Sequence, residues 1–260
     1  MKRFLSTGIT AILIGFLAFN QANAQTDEIK NPASAEKKAF VLLELYTSEG
    51  CPTCPPADAN LARLEREQPV AGVEIITLAL HVDYWNSSRW RDEYSSPIFS
   101  RRQQIYTQAL KTYSNYTPQM IVDGRAEFAG NNLAKAQKAI ADAAKTPKAT
   151  IEIEAAADKF IIKISDLPTR QTATVFVAVT EDNLASSRKF GAAADRKAEH
   201  VSVVRELNSL GTLAAAQSNA QLELVLRIQP AWTRENLKLV VFAQENASRK
   251  ILGVSRISLM

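Results

Sequence analysis

The chain has few of the residues from which metal cages are usually built. Its 260 residues include only two cysteines, Cys51 and Cys54, and two histidines, His81 and His200. A structural zinc site takes four protein ligands. Here it would need all four side chains, drawn from two distant parts of the chain, so no metal is expected, although soft Cu(I) would tolerate fewer ligands. Charge of one sign is also lacking. The formal net charge is +4, and it falls toward balance once Lys2 and Arg3 are discounted. The basic clusters around Arg63, Arg101 and Arg188 are interleaved with acidic or polar residues and read as solvated faces and loops. Nothing in this pattern favours nucleic acid as a partner. Beyond residues 9–19, no apolar run approaches membrane-spanning length. No internal repeat is present, and no low-complexity tract beyond an alanine bias. No cofactor motif emerges.

What is present begins with an export pattern. Lys2 and Arg3 precede the short apolar run 9–19, and Ala22-Asn23-Ala24 has the form of a cleavage signal. Residues 1–24 are therefore expected to be a signal peptide, and the protein is expected in the periplasm or outside the cell. Residues 25–38 are polar, contain Pro32 and show no apolar period, as a disordered leader would.

The rest of the chain is organised around residues 42–58, Leu-Leu-Glu-Leu-Tyr-Thr-Ser-Glu-Gly-Cys-Pro-Thr-Cys-Pro-Pro-Ala-Asp. A short apolar run predicts a buried strand, 40–46. Pro55 and Pro56 then suit the first turn of a helix, 54–67. Both cysteines thus fall where a strand ends and a helix begins. Backbone N–H groups are unpaired there, and the helix dipole favours a thiolate. Such a position lowers a cysteine pKa and makes the residue nucleophilic. A C-x-x-C beside a βαβ pattern is a redox signature.

Further along, 72–80 is rich in branched residues and predicts a second buried strand. Residues 81–96 are irregular, polar and aromatic. Ser96 and Pro97 open a helix expected over 97–112. A short strand, 119–122, leads to Asp123-Gly124, a strong hairpin signal, and the chain returns over 125–129. An alanine-rich helix follows at 133–145. After Pro147 the period shifts from helical spacing to alternation. Strands are expected at 149–155, 160–164, 173–180, 200–207, 221–229, 237–244 and 251–259, with a basic polar loop at 183–198. Seven such runs separated by turns suggest a β-sandwich. The expected division is therefore 39–147 and 148–260.

The order βαβ then αββα, with the C-x-x-C opening its first helix, resembles the thioredoxin fold. That resemblance implies an α/β thioredoxin-like domain followed by an all-β sandwich-like domain. It implies a cis peptide bond between Thr117 and Pro118, with both residues facing the dithiol and holding a substrate backbone. It also implies that Glu44 is a buried acid able to relay a proton to or from Cys54. Gly50 and Pro52-Thr53 depart from the thioredoxin pattern, and proline directly after the first cysteine is more like glutaredoxins. More closely, residues 40–259 resemble a bacterial exported family known as domain of unknown function 1223. The stretches that carry this resemblance are 43–58, His81-Val82-Asp83-Tyr84-Trp85, Tyr116-Thr117-Pro118-Gln119, His200-Val201 and Val204-Arg205.

For Cys51 and Cys54, three readings stay open: a catalytic or carrier dithiol, an inert structural disulfide and a metal site. In the leading reading the protein is a thiol–disulfide oxidoreductase acting on exported protein thiols or disulfides. The more exposed Cys51 attacks and Cys54 resolves. The rival is a non-catalytic binding or assembly protein in which the bond only fastens a loop. His81 and Asp83 lie just past a strand end, where ligands gather in open sheets, and are candidate substrate contacts. Trp85, with Tyr84 and Trp90, is either packing or the wall of a peptide groove. The segment 81–96 is expected to lie over or beside the dithiol. His200 and Arg205 read as structural.

Overall fold

A computed structural model describes residues 38–187 and 197–259. The expected signal peptide and all but the last residue of the expected leader lie outside them. Strand β1 (Ala39–Thr47) and strand β2 (Val73–His81) run parallel, joined by helix α1 (Pro55–Glu67). Both strands are apolar along almost their whole length, and both are buried on two faces, which is the pattern that a covered parallel pair requires. Helix α2 (Pro97–Ala109) starts at Ser96, whose side chain accepts the Ile98 N–H. It stops short of residue 112, where Lys111 takes a positive φ of 55°. Strands β3 (Gln119–Val122) and β4 (Ala126–Ala129) form a hairpin. Asp123 and Gly124 at its turn have φ of 50° and 63°, the left-handed geometry that makes this dipeptide a hairpin signal. Helix α3 (Leu133–Ala143) follows, capped by Asn132.

The second half supplies strands β5 (Thr150–Ala156), β6 (Lys159–Ser165), β7 (Ala173–Glu181), β8 (Leu184–Ser187), β9 (Lys197–His200), β10 (Val203–Leu213), β11 (Ala220–Leu224), β12 (Leu237–Glu245) and β13 (Ile251–Ser258). Four of them extend the first sheet. The order is β13-β12-β7-β10-β2-β1-β3-β4, eight strands of mixed direction. Strands β11, β6 and β5 form a separate three-stranded sheet, and β8, within the stretch 183–198 expected to be a basic loop, pairs with β9, which starts at the end of that stretch.

The expected α/β thioredoxin-like domain followed by an all-β sandwich-like domain is therefore not what the chain builds. Among the described residues the structure is mostly β, a mixed eight-stranded sheet plus a small three-stranded one, with three α-helices. The continuous sheet overturns that expectation. Strand β10 lies parallel to β2, with Val203 opposite Ala79 and the Ala79 N–H donating to the Ser202 carbonyl at 2.8 Å. One core cluster also takes side chains from both halves: Leu42, Tyr46 and Leu80 with Phe99 and Tyr106 of α2, and Val204, Val240 and Phe242. Alternation in a sequence shows that strands exist. It does not show which strands pair across more than a hundred residues.

The sheet has two faces, and they position the site. On β1, Val41, Leu43 and Leu45 pack with Ala57, Leu61 and Leu64 of α1 and with α3. Leu42 and Tyr46 point the other way, toward α2. Side chains alternate along a strand, so even-numbered residues of β1 face α2 and odd-numbered ones face α1.

Candidate functional site: a disulfide beneath a tryptophan-bearing segment

Past Thr47 the chain turns sharply. The Cys51 N–H donates to the Ser48 carbonyl at 3.1 Å, and the Gly50 N–H to the Ser48 hydroxyl at 3.1 Å. Cys54 then stands as the residue before α1, with Pro55 and Pro56 in the first turn. Cys51 and Cys54 form a disulfide with Cα atoms 5.5 Å apart. The bond thus sits at the carboxyl end of β1 and the positive end of α1, as the sequence implied. Its exposure differs from expectation. Cys51 is 1% exposed and Cys54 0%, and only the intervening Pro52 and Thr53 reach solvent.

The stretch 82–96 lies against this loop. Gly50 is packed so closely that a Cβ there would lie 2.7 Å from Cζ3 of Trp90 and 3.2 Å from Cβ of Trp85. Only glycine lets the two tryptophans come this near the residue before Cys51. A buried carboxylate fastens the two segments. Oδ2 of Asp92 accepts from the Glu49 N–H at 2.8 Å, the Ser48 hydroxyl at 3.2 Å and Nδ1 of His81 at 2.8 Å. Oδ1 of the same residue accepts from the Tyr94 N–H at 3.0 Å. Nε2 of His200 stands 3.1 Å from the Glu49 carboxylate, and the His81 and His200 rings meet edge to face at 5.2 Å. Both histidines of the chain therefore engage the cysteine loop, one through Asp92 and one through Glu49.

A third segment comes to the same end of α1. The Thr117–Pro118 peptide bond is cis. The Pro118 carbonyl accepts from the Gly130 N–H at 3.0 Å, and a Cβ on Gly130 would lie 2.9 Å from Ala57 Cβ and 3.5 Å from Pro118 Cβ. Gly130 thus has Pro118 and Ala57, in the first turn of α1, as common neighbours. Trp85 donates its indole N–H to the Thr117 hydroxyl at 2.8 Å while remaining 38% exposed. Tyr84 donates to Gln103 of α2 at 3.1 Å, and Gln103 donates to the Tyr116 carbonyl at 2.7 Å. Of the candidate residues, the structure brings Cys51, Cys54, Thr117, Pro118 and Trp85 into one region.

Others stand elsewhere or act differently. Glu44 is even-numbered on β1 and faces α2, across the sheet from α1. Its carboxylate is held there by Arg102 at 2.6 and 3.3 Å and by the Tyr106 hydroxyl at 2.6 Å, so it is a core ion pair and not a relay to Cys54. Asp83 pairs with Ser100 of α2. His81 is 1% exposed and bonded to Asp92, out of a substrate's reach in this state. Sequence reasoning missed Asp92, Ser48, Glu49 and His200. The usable signal was that the chain's two histidines sit at strand ends, one of them within the aromatic segment.

Electrostatics support an ionised Asp92–His81 pair. Burial pushes the His81 pKa down, but the hydrogen bond to Asp92 and the charges of Asp92, Asp58 and Glu49 outweigh it and hold the pKa above the ordinary 6.5. Burial pushes Asp92 up, and the His81 bond and charge with two backbone N–H groups bring it below 3.8. A raised histidine contributes stability below 6.5 that is lost as pH rises through its folded value. A lowered aspartate contributes above 3.8 and loses that as pH falls through its folded value. Urea midpoints of wild type relative to His81→Gln should therefore differ most between pH 3.8 and 6.5 and converge on either side. A difference that is flat with pH would contradict the ionised pair.

Among the described residues, no three His, Cys, Asp or Glu side chains converge as metal ligands would. No helix among them is long and apolar enough to cross a membrane. No curated protein matches the chain. Among solved structures, protein AGR_C_4864 of Agrobacterium tumefaciens is similar at 26% identity and a TM-score of 0.68, over 84% of this chain and 93% of that one. HBP35 of Porphyromonas gingivalis shares the fold at 16% identity and a TM-score of 0.56, over 85% of this chain and 76% of that one. The family described as protein of unknown function (DUF1223) matches residues 42–244, and the chain belongs to that family.

Proposed function

We propose that the protein is an exported thiol–disulfide exchange protein of the periplasm or cell exterior, acting on protein thiols or disulfides at Cys51 and Cys54. The carrying observation is the Cys51–Cys54 bond at the start of α1, with Pro118 and Ala57 of that helix's first turn both bordering Gly130. In the oxidised form, a substrate thiolate attacks Cys51 Sγ. A substrate–Cys51 disulfide forms, the Cys51–Cys54 bond breaks, and Cys54 leaves as thiolate. A second substrate thiolate then attacks the mixed disulfide and releases the Cys51 thiolate. The substrate dithiol loses two electrons and becomes a disulfide, the protein pair gains them, and the substrate's two protons pass to solvent or to the new thiols. Each step is reversible, and the helix start favours the thiolates. Thr117 and Pro118 would line the substrate chain, and Trp85 would give it an apolar wall.

The near-complete burial of both cysteines favours a second reading, a structural bond in a binding or assembly protein. A trapping variant separates the two. Cys54→Ala cannot resolve a mixed disulfide and is expected to accumulate thiol-sensitive adducts with other exported proteins, visible on non-reducing gels. Cys51→Ala should not. Equal, background adduct levels in both variants would favour the structural reading.

A further inference from the structure

The same burial poses a question of access. Cys51 is 1% exposed, the tryptophan-bearing segment 82–96 packs on Gly50 directly before it, and the buried side chain of Asp92 ties that segment to the cysteine loop. Asp92 is 0% exposed, and its two oxygens accept four hydrogen bonds. Two of these come from Ser48 and Glu49, directly before Gly50 and Cys51. Ser48 carries the connection onward by accepting the Gly50 N–H. A third comes from His81, the last residue of β2, so the carboxylate ties both moving parts to the rigid sheet.

We propose that Asp92 is the positioning residue of the dithiol centre, a latch that holds the tryptophan-bearing segment closed over Cys51 and whose release admits a protein thiol. This rests on the exchange reading above for its biological purpose, but the latch itself is a property of the closed structure. Three observations support it besides the bonds to the loop. The Asp92 N–H and carbonyl are also engaged, by Asn86 and by Ser95, so the carboxylate is held rigid within its own segment. His81, which braces it, is fixed between the rings of Tyr94 and His200 at 5.4 and 5.2 Å. Nε2 of His81 is buried with no hydrogen-bond partner among the described residues. A buried imidazole nitrogen left unpaired is unfavourable, so the closed arrangement carries a penalty that opening to water relieves. The latch is stable but poised.

The charged and titratable groups around the pair come from every neighbouring element. They are Glu49 of the cysteine loop, Asp58 of α1, Tyr94 of the segment itself, His200 at the end of β9, and Arg205 of β10 over the Tyr94 ring. Their net effect keeps His81 protonated above its ordinary range, so the latch is strongest while His81 is charged and loosens as pH rises past that point.

The test needs no protein substrate. An uncharged trialkylphosphine reduces the disulfide: the phosphorus takes oxygen from water and is oxidised to phosphine oxide, while both sulfurs become thiols. Its rate on the full chain, divided at each pH by its rate on an unhindered model disulfide, reads access alone. Asp92→Asn and Asp92→Ala are expected to raise this ratio about tenfold or more and to shift the tryptophan emission of the oxidised protein to the red. In wild type the ratio should climb as pH rises above 6.5 and through the raised His81 value, and in His81→Gln the climb should vanish. Wild-type ratios and emission in folded Asp92→Asn would overturn the latch. If Asp92→Ala does not fold, Asp92→Asn, which keeps the shape, and the wild-type pH profile still decide it. A wild-type ratio independent of pH, with Asp92→Asn unchanged, sinks it. Adduct formation by Cys54→Ala is a separate readout, so the latch and the exchange chemistry can fail independently.

Discussion

Arg102→Met is expected to destabilise the protein by about 3–5 kcal/mol, the range for removing one partner of a buried ion pair. The guanidinium is buried and meets Glu44 in two bonds, Gln244 at 3.1 Å and the Tyr106 hydroxyl at 3.1 Å. It also lies about 5 Å from the ring centroids of Tyr106, Phe176 and Phe242. Removing it leaves the Glu44 carboxylate inside the α2-facing core with tyrosine hydroxyls as its remaining partners. Methionine fills much of the volume, so the loss reflects uncompensated charge more than a cavity. The double variant Glu44→Gln, Arg102→Met should recover a large part of the loss, because no charge is then stranded. Urea unfolding of the four proteins of the cycle measures this. Additive losses would show that packing, and not pairing, is what Arg102 supplies.

Gly124→Ala should be comparably severe, about 3 kcal/mol or more, through strain of the kind held in forced backbone positions. Gly124 has a φ of 63°, and a Cβ there would lie 2.0 Å from the Arg249 carbonyl oxygen. The turn would have to withdraw from the loop before β13, breaking the bond from the Ile251 N–H to the Asp123 carbonyl at 3.0 Å. Gly72→Ala is the control. Its φ is 71°, yet nothing lies within 4 Å of the added carbon. That variant should lose only the left-handed penalty of about 1–2 kcal/mol. Thermal unfolding of both distinguishes the backbone collision from the conformational term, and equal losses would remove the collision.

The sequence made certain features of this molecule plain and hid others for identifiable reasons. The buried runs of β1 and β2, the Asp123-Gly124 turn and the Ser96-Pro97 helix start were visible because each is encoded within a few neighbouring residues. The disulfide at the head of α1 was visible for the same reason. Glu44 was expected to relay a proton to or from Cys54. The acid suits a buried position near the end of β1, but strand alternation turns an even-numbered residue toward α2. Asp92 was invisible because the stretch 82–96 has no period, and its partners Ser48, Glu49 and His81 come from two other segments. His200 looked like an ordinary strand residue, since its contact with Glu49 spans 151 positions. The joining of β10 to β2 was hidden in the same way, because pairing partners are not written in either strand.

That joining shapes how the chain must assemble. Parallel β10 and β2 share one ladder position, reinforced by the Thr77–Ser202 hydroxyl contact at 2.8 Å. Every other neighbour in the large sheet has a longer register. Val203 must find Ala79 across about 120 intervening residues, and closing a loop of that length costs roughly 4 kcal/mol of chain entropy before any reward returns. The hairpins and the β1–α1–β2 unit are local and close cheaply. The seam between them is therefore expected to form late in refolding and to be the first part of the sheet to exchange its amide hydrogens, with Ala79 N–H as the reporter. A sheet whose two halves share a single ladder position is slow to complete and easy to loosen at the middle. The middle is also where β2 ends at His81.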